Sequence, residues 1–271
     1  MKKNEQDMSF LDHLEILRWH LIRSGIAILI LSILAFIFKE IIFDAILLAP
    51  KDPNFLTYRF LCNISQGLGL GDALCIKESP FSLMNINMAG QFSTHLMTSI
   101  YAGFILAFPY VFWEIWRFIL PALKEKETKV TRGVVFFSSL LFLTGVTFGY
   151  YVIAPLSINF LGSYQVSQTV ANQISLTSFV STVTTISLAN GIIFELPILV
   201  YFLTKIGLLT PEFMRTYRRH AMIITLILSA IITPPDITSQ ILVSFPLIIL
   251  YEISIQISKA IVKKIIYDFK S

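Results

Sequence analysis

The sequence predicts an all-α polytopic membrane protein with six transmembrane helices and both termini in the cytoplasm. Of its 271 residues, 55% are hydrophobic and only 14% are charged, which is more apolar than a soluble domain tolerates. A bilayer core about 30 Å thick needs roughly 20 apolar residues per helix, so six spans would use about 120 residues. The basic residues lie between apolar runs, so the net charge of +4 indicates membrane topology and not nucleic-acid binding.

The first four spans are defined by long apolar runs. No charge occurs from Ser24 to Phe38, Pro109 lies near the end of the second run, and Pro155 ends the third. The fourth run carries one acid, Glu195, two residues before Pro197. These patterns predict spans at about 21–43, 92–113, 133–154 and 176–204.

The last two spans, at about 218–234 and 238–257, are predicted to be short. Arg219 and Pro234 bracket about 14 residues, which cover about 21 Å at 1.5 Å per residue. Pro246 and Glu252 interrupt the final run. We therefore expect a locally thinned bilayer beside these helices.

Charge sets the orientation of the predicted bundle. The segments before span one, between spans two and three, between four and five, and after six hold 17 of the 21 Lys and Arg residues. The positive-inside rule places these segments in the cytoplasm. The chain is thus predicted to be a single membrane domain, 1–271, with an extracytoplasmic cap loop at 44–91. We expect no removable signal peptide, because no small-residue cleavage site follows a short apolar core.

Cys62 and Cys75 are the only cysteines, and both lie in the predicted cap loop. Too few cysteines and nearby histidines are present for a zinc site, and we expect no metal. On an oxidising side of the membrane, two cysteines 13 residues apart favour a disulfide. Two buried thiols are the alternative.

Glu195 is a candidate functional residue because an acid inside a membrane span is expensive. A structural hydrogen bond within the bundle is the alternative. Thr225, Ser229 and Thr233 recur at a spacing of four, and Gln240 extends this polar stripe. It would suit docking of another helix, or ordinary packing inside the bundle, since hydroxyls also bond their own backbone.

The sequence contains none of the common catalytic or cofactor-binding motifs. No nucleophile elbow, Walker A loop, dinucleotide fingerprint or HExxH occurs, so neither catalysis nor a cofactor is expected. Glu15, Glu125 and Glu127 lie in predicted cytoplasmic segments. By composition alone such acids form solvated turns.

Several stretches together resemble the TatC family, the multi-spanning component of the twin-arginine protein translocase. They follow the family order and cover nearly the whole chain: Ser9–Arg18, Trp116–Leu123 followed by Glu127, Phe194–Pro197, Leu208–Pro211, Thr233–Asp236 with Ser239 and Gln240, and Tyr251 with Glu252.

The amino-terminal stretch departs from the family pattern. Ile16 stands where the family usually has its acid, and Glu15 comes one position earlier, a rotation of about 100° on a helix. His20 stands where a second arginine is common. The cap loop looks like an insertion relative to shorter members.

The resemblance implies a concave bundle in the cytoplasmic membrane of a bacterium that works as signal receptor and export scaffold. It implies partners of TatA and TatB type with a single span, a homo-oligomer within the complex, twin-arginine signal peptides as ligands, and a proton motive force as driver. The residues implied in signal binding are Glu127, Glu15, Arg18, Phe118 and Pro121. The residues implied in binding partner helices inside the membrane are Glu195, Thr233, Gln240 and Asp236.

Two other functions are compatible with a polytopic chain. A small-molecule or ion transporter would use Glu195 as its proton or cation site, but such proteins usually have repeat symmetry or broken helices in matching halves, and we find neither. A membrane hydrolase is less favoured, since no nucleophile with a nearby base is evident.

Overall fold

The computed structural model describes residues 10–73, 75–76, 81–119, 131–167, 169, 172–233 and 237–270. Nearly all of its regular structure is helical, which confirms the predicted fold class. The α-helices are α1 Phe10–Ile37, α2 Leu56–Gly67, α3 Gly90–Ile119, α4 Thr131–Phe148, α5 Ala154–Ser163, α6 Leu176–Ile193, α7 Leu196–Lys205, α8 Pro211–Thr216, α9 Arg218–Ile232 and α10 Ile237–Lys270. Short π-helical segments at Ile41–Leu47 and Gly149–Ile153 follow α1 and α4.

Within the described residues, five helical segments are long and apolar enough to cross a membrane. They are Leu14–Ile37, Gly90–Ile119, Gly133–Ser163, Leu176–Lys205 and Ser239–Lys264. The sixth apolar helix, α9, has 15 residues and covers only about 22 Å. This short length agrees with the prediction from the spacing of Arg219 and Pro234. The total of six transmembrane spans stays a prediction.

The last helix corrects the expectation of a short sixth span. α10 runs for 34 residues, and Pro246 lies inside it without ending it. Glu252 does not end the helix either, since glutamate is a good helix former, and its carboxylate pairs with Arg218 of α9 at 2.5 Å. At the other end of the chain, α1 already includes residues Phe10 to Arg18 of the amino-terminal signature, which the sequence predicts to lie before span one.

The described residues fall into two compact units. The first comprises residues within Met1–Ile37 and Ser99–Leu140, and the second those within Phe38–Thr98 and Leu141–Ser271. In the first unit, α1 and α3 approach backbone to backbone at Gly103. A Cβ atom on this glycine would lie 2.6 Å from Ser32 N, so only glycine permits this contact.

The core of the second unit gathers α4 to α6, α10 and the segments between them. Ile153, Phe179, Ile186 and Leu247 are among its fully buried side chains. α4 approaches α6 through Gly145, where a Cβ atom would lie 2.6 Å from a backbone oxygen of α6. Small residues allow such close helix contacts in membranes, where van der Waals packing replaces the hydrophobic effect.

The described residues of the predicted cap region, 44–91, include the helix α2. The structure joins Cys62 of α2 to Cys75 by a disulfide, with their Cα atoms 4.4 Å apart. Two three-residue strands, β1 Ser82–Met84 and β2 Gln173–Ser175, pair in parallel with Leu83 opposite Ile174. The sequence did not predict this small sheet, because three residues are too few to display an alternating pattern.

Candidate functional site

A buried carboxylate joins α1 to α3 in the first unit. Glu114 is 1% exposed, and its Oε2 atom is in hydrogen-bond contact with Nδ1 of His20. The hydroxyl of Tyr110 donates to Oε1 at 3.0 Å. Nη1 of Arg117 lies 3.8 Å from Oε1, and Nη1 of Arg23 lies 4.0 Å from Oε2. We call these five residues the Glu114 cluster.

The helical spacing of α3 explains three of the five residues in the Glu114 cluster. Tyr110 precedes Glu114 by four residues and Arg117 follows it by three, so all three side chains share one helix face. α1 supplies the other two, His20 and Arg23. A buried carboxylate is costly unless it is paired and hydrogen-bonded, and these partners meet that requirement.

The cluster brings the start of α1 and the end of α3 to the same end of the first unit. The His20 ring also contacts the ring of Phe118 edge to face, with centroids 6.2 Å apart. The Arg117 guanidinium lies 4.8 Å from the Trp113 ring centroid, a cation–π contact typical of a membrane interface. The described part of α3 reaches Ile119.

The structure describes three of the five predicted signal-binding residues, and these three differ in exposure. Glu15 and Arg18 are exposed on the first turns of α1, and Phe118 is half-buried at the end of α3. Ile16, at the usual position of the family acid, is also exposed. Glu127 and Pro121 lie outside the described residues.

Sequence reasoning missed Glu114 as a site residue. His20 was noted only as a departure from the family pattern. A usable signal was present: an acid at the end of an apolar helix needs a cation, and His20 replaces an expected arginine. The sequence does not show that the two residues meet, since they are 94 positions apart.

Glu195 lies in the second unit, at a break between α6 and α7. It precedes the first turn of α7, and its backbone carbonyl accepts bonds from the N–H groups of Ile198 and Leu199, both at 3.0 Å. The helix breaks here because Pro197 has no N–H with which to continue the bonding of α6. The side chain is half-buried, with its Oε1 atom inside the protein.

A polar side chain near the end of α6, Asn190, is buried about one helical turn before this break. Asn190 is 1% exposed, and its Nδ2 atom donates to the Ile186 carbonyl at 2.8 Å. No described residue donates a hydrogen bond to its Oδ1 atom. Asn190 and Glu195 are therefore among the polar side chains that lie wholly or partly inside this unit within a predicted span.

The polar stripe of α9 faces inward. Thr225, Ser229 and Thr233 are buried, and their hydroxyls donate to α9 carbonyls at 2.8 to 2.9 Å. This matches the packing alternative for Thr225 and Ser229. Thr233 also lines a cavity of about 270 Å³, along with Ser181, Thr182 and Thr185 of α6.

Gln240 links the last two helices. Its Nε2 atom donates to the Leu226 carbonyl of α9 across 3.4 Å. Asp236, the remaining residue predicted to bind a partner helix, lies outside the described residues.

Comparison with known proteins agrees with this architecture. The chain matches the family model of TatC, the Sec-independent protein translocase protein, over residues 12–246. It is 40% identical over 265 residues to the TatC protein of a Blattabacterium strain from Periplaneta americana, covering 97% of this chain and 100% of that protein. It is 34% identical to TatC of Aquifex aeolicus, covering 95% and 97% of the two chains.

Solved structures agree as well. Two crystal structures of a twin arginine translocase receptor, TatC, one of them in DDM, share 33% identity with this chain at TM-scores of 0.70 and 0.71. They cover 92% and 91% of this chain, and 99% of each solved chain is matched. The relatives are thus named as components of a protein translocase, a transport role that requires a membrane complex. This chain is accordingly a multi-pass protein of the bacterial cytoplasmic membrane, and it belongs to the TatC family of Sec-independent protein translocase subunits.

Proposed function

We propose that this subunit binds twin-arginine signal peptides at its cytoplasmic face. We further propose that it exports folded proteins with single-span partners of TatA and TatB type, driven by the proton motive force. The observation that carries the proposal is the Glu114 cluster, which joins α1 to α3. The contact of His20 with Phe118 brings the part of α1 that carries Glu15 and Arg18 to the same end of the first unit as Phe118, which precedes Glu127 by nine positions in the sequence.

The chemistry of the ligand explains why acids at this end matter. A guanidinium presents a planar fork that matches a carboxylate with two parallel bonds, whereas a lysine ammonium offers a point charge. Glu15 is exposed and therefore accessible to a peptide. Glu114 is buried among its own cations, so its role is to position the two helices and not to contact the peptide.

Glu127 is the residue that we propose as the main contact for the signal peptide. It follows Phe118 of α3 by nine positions in the sequence, and the contact between Phe118 and His20 ties this end of α3 to α1. The family acid is displaced to Glu15 in this chain, so Glu127 should carry more of the recognition.

The second unit supplies the proposed contacts for partner helices. The cavity at Thr233 is lined by hydroxyls of α6, and interhelical hydrogen bonds of this type stabilise helix association in membranes. Glu195 would serve the same purpose at the α6–α7 break. Copurification of single-span proteins after mild detergent extraction tests this part of the proposal, and loss of copurification in Glu195→Ala is the expected result.

Photocrosslinking of a twin-arginine signal peptide to the solubilised protein tests the main proposal. Charge-assisted hydrogen bonds contribute about 1.5 to 3 kcal/mol, so Glu127→Ala should weaken binding roughly ten- to a hundredfold. Glu15→Ala should have a smaller effect. Glu125→Ala, in the same loop, is the matched control and should bind as the parent does. If Glu127→Ala also binds like the parent, Glu127 does not read the signal.

A further inference from the structure

The cap helix α2 has three distinct faces. Tyr58 and Ser65 are buried against the rest of the second unit. Apolar residues spaced by four, which we call the α2 stripe, form a second, exposed face: Leu56, Phe60, Ile64 and Leu68, with exposures of 64%, 63%, 37% and 71%. The polar residues Arg59, Asn63 and Gln66 form the third face, which is also exposed. The four stripe residues therefore project outward along one side of the helix.

α2 is held firmly to the end of the predicted third span, 133–154. The Tyr58 hydroxyl lies 3.0 Å from the Pro50 carbonyl and 2.9 Å from the Pro155 carbonyl. Burial raises the pKa of Tyr58, so the hydroxyl keeps its proton and donates. The Phe55 ring stacks on the Tyr151 ring with centroids 5.6 Å apart, and Thr57 Oγ1 contacts the Tyr151 carbonyl. The direction of the stripe is thus fixed relative to the span.

The anchor point lies near the end of the predicted third span, 133–154. The apolar helical segment Gly133–Ser163 has 31 residues and is about 46 Å long at 1.5 Å per residue, so it is longer than a bilayer core of about 30 Å. The predicted span places Tyr151 near the edge of that core, the level at which tyrosines concentrate. Leu143, Thr147 and Tyr151 are exposed at a spacing of four. They form a lipid-facing strip that leads up to α2.

We propose that α2 is an interfacial helix, whose stripe inserts among the lipid acyl chains of the extracytoplasmic leaflet. An interfacial helix requires an apolar face beside a polar face with a basic residue, and Arg59 next to Phe60 supplies that residue at the level of the lipid phosphates. The stripe also begins beside the lipid-facing strip of the span, because Phe55 and Thr57, on either side of Leu56, both contact Tyr151. Both observations favour lipid over a soluble protein as the occupant of this face. The helix thereby sets the depth of the disulfide-bonded cap against the membrane.

Photocrosslinking of the full-length protein to lipid tests this proposal. Phe60→p-benzoylphenylalanine places the probe on the stripe, and Gln66→p-benzoylphenylalanine places it about 120° away on the polar face. Each variant is reconstituted into vesicles of phosphatidylethanolamine and phosphatidylglycerol, irradiated, digested and analysed by mass spectrometry. Only protein that elutes with the parent in detergent and retains the Cys62–Cys75 bond is used, which excludes misfolded material.

The expected result is an acyl-chain adduct at position 60 and none above background at position 66. Three outcomes would overturn the proposal. They are no lipid adduct at position 60, equal lipid adducts at both positions, and a position-60 adduct to a second copy of the chain in place of lipid.

Discussion

Replacing Gly103 with alanine should loosen the contact between α1 and α3. A Cβ atom at this position would lie 2.6 Å from N and 2.7 Å from Cα of Ser32. Ordinary contacts between heavy atoms are about 3.5 to 4.0 Å, so the two backbones would have to separate by about 1 Å. Neither Ser32 atom can rotate away, because both belong to the backbone of α1.

The expected cost follows from two opposing effects. Overpacking of a close contact costs about 1 to 3 kcal/mol, while alanine in place of glycine stabilises a helix by about 1 kcal/mol. Gly25→Ala, also in α1, is the matched control, because no heavy atom lies within 4 Å of its added Cβ. Gly25→Ala gains the helix stabilisation of alanine without any overpacking cost. Gly103→Ala should therefore be less stable than Gly25→Ala by about 1 to 3 kcal/mol, the cost of overpacking.

Unfolding of the two variants and the parent in mild detergent, followed by circular dichroism, measures this difference. Ser32→Ala added to Gly103→Ala should not restore stability, because it removes only the hydroxyl and leaves the backbone contact. If Gly103→Ala is as stable as Gly25→Ala, the close approach of α1 and α3 is refuted. If Ser32→Ala restores stability, the contact involves the side chain alone.

Three further predictions concern other parts of the chain. Glu195→Ala should fold but export a twin-arginine substrate poorly, whereas Glu195→Gln should keep part of the activity, since an amide retains hydrogen bonding in the membrane. Normal export by the alanine variant would show that the acid is dispensable. Alkylation without reductant should modify neither Cys62 nor Cys75, because the two form a disulfide. Closure of the loop between them should contribute about 3 kcal/mol of stability. Two alkylated thiols in the mature protein would contradict the bond. Single cysteines placed at Lys126 and Ser167 in a cysteine-free background should label from opposite sides of the membrane, and labelling of both from outside would reverse the topology.

Membrane character and the sites of most spans were predictable, because both depend on local composition. A run of about 20 apolar residues is recognisable without knowledge of its neighbours. The short α9 was foreseen for the same reason, from the close spacing of Arg219 and Pro234. The length of α10 was not, since a proline or an acid in a run does not reveal whether the helix continues. Glu252 is accommodated there by Arg218, a partner on another helix.

The sequence by itself thus determined the fold class, the family and Glu195 as an intramembrane acid. Only the tertiary structure decided which polar groups meet. His20 and Glu114 are 94 positions apart, and their pairing depends on how α1 packs against α3 at Gly103. The outward direction of the α2 stripe likewise depends on Tyr58 reaching carbonyls in two other segments. Apolar periodicity shows that a helix has a face, but only packing decides whether that face meets protein or lipid, because both environments are apolar.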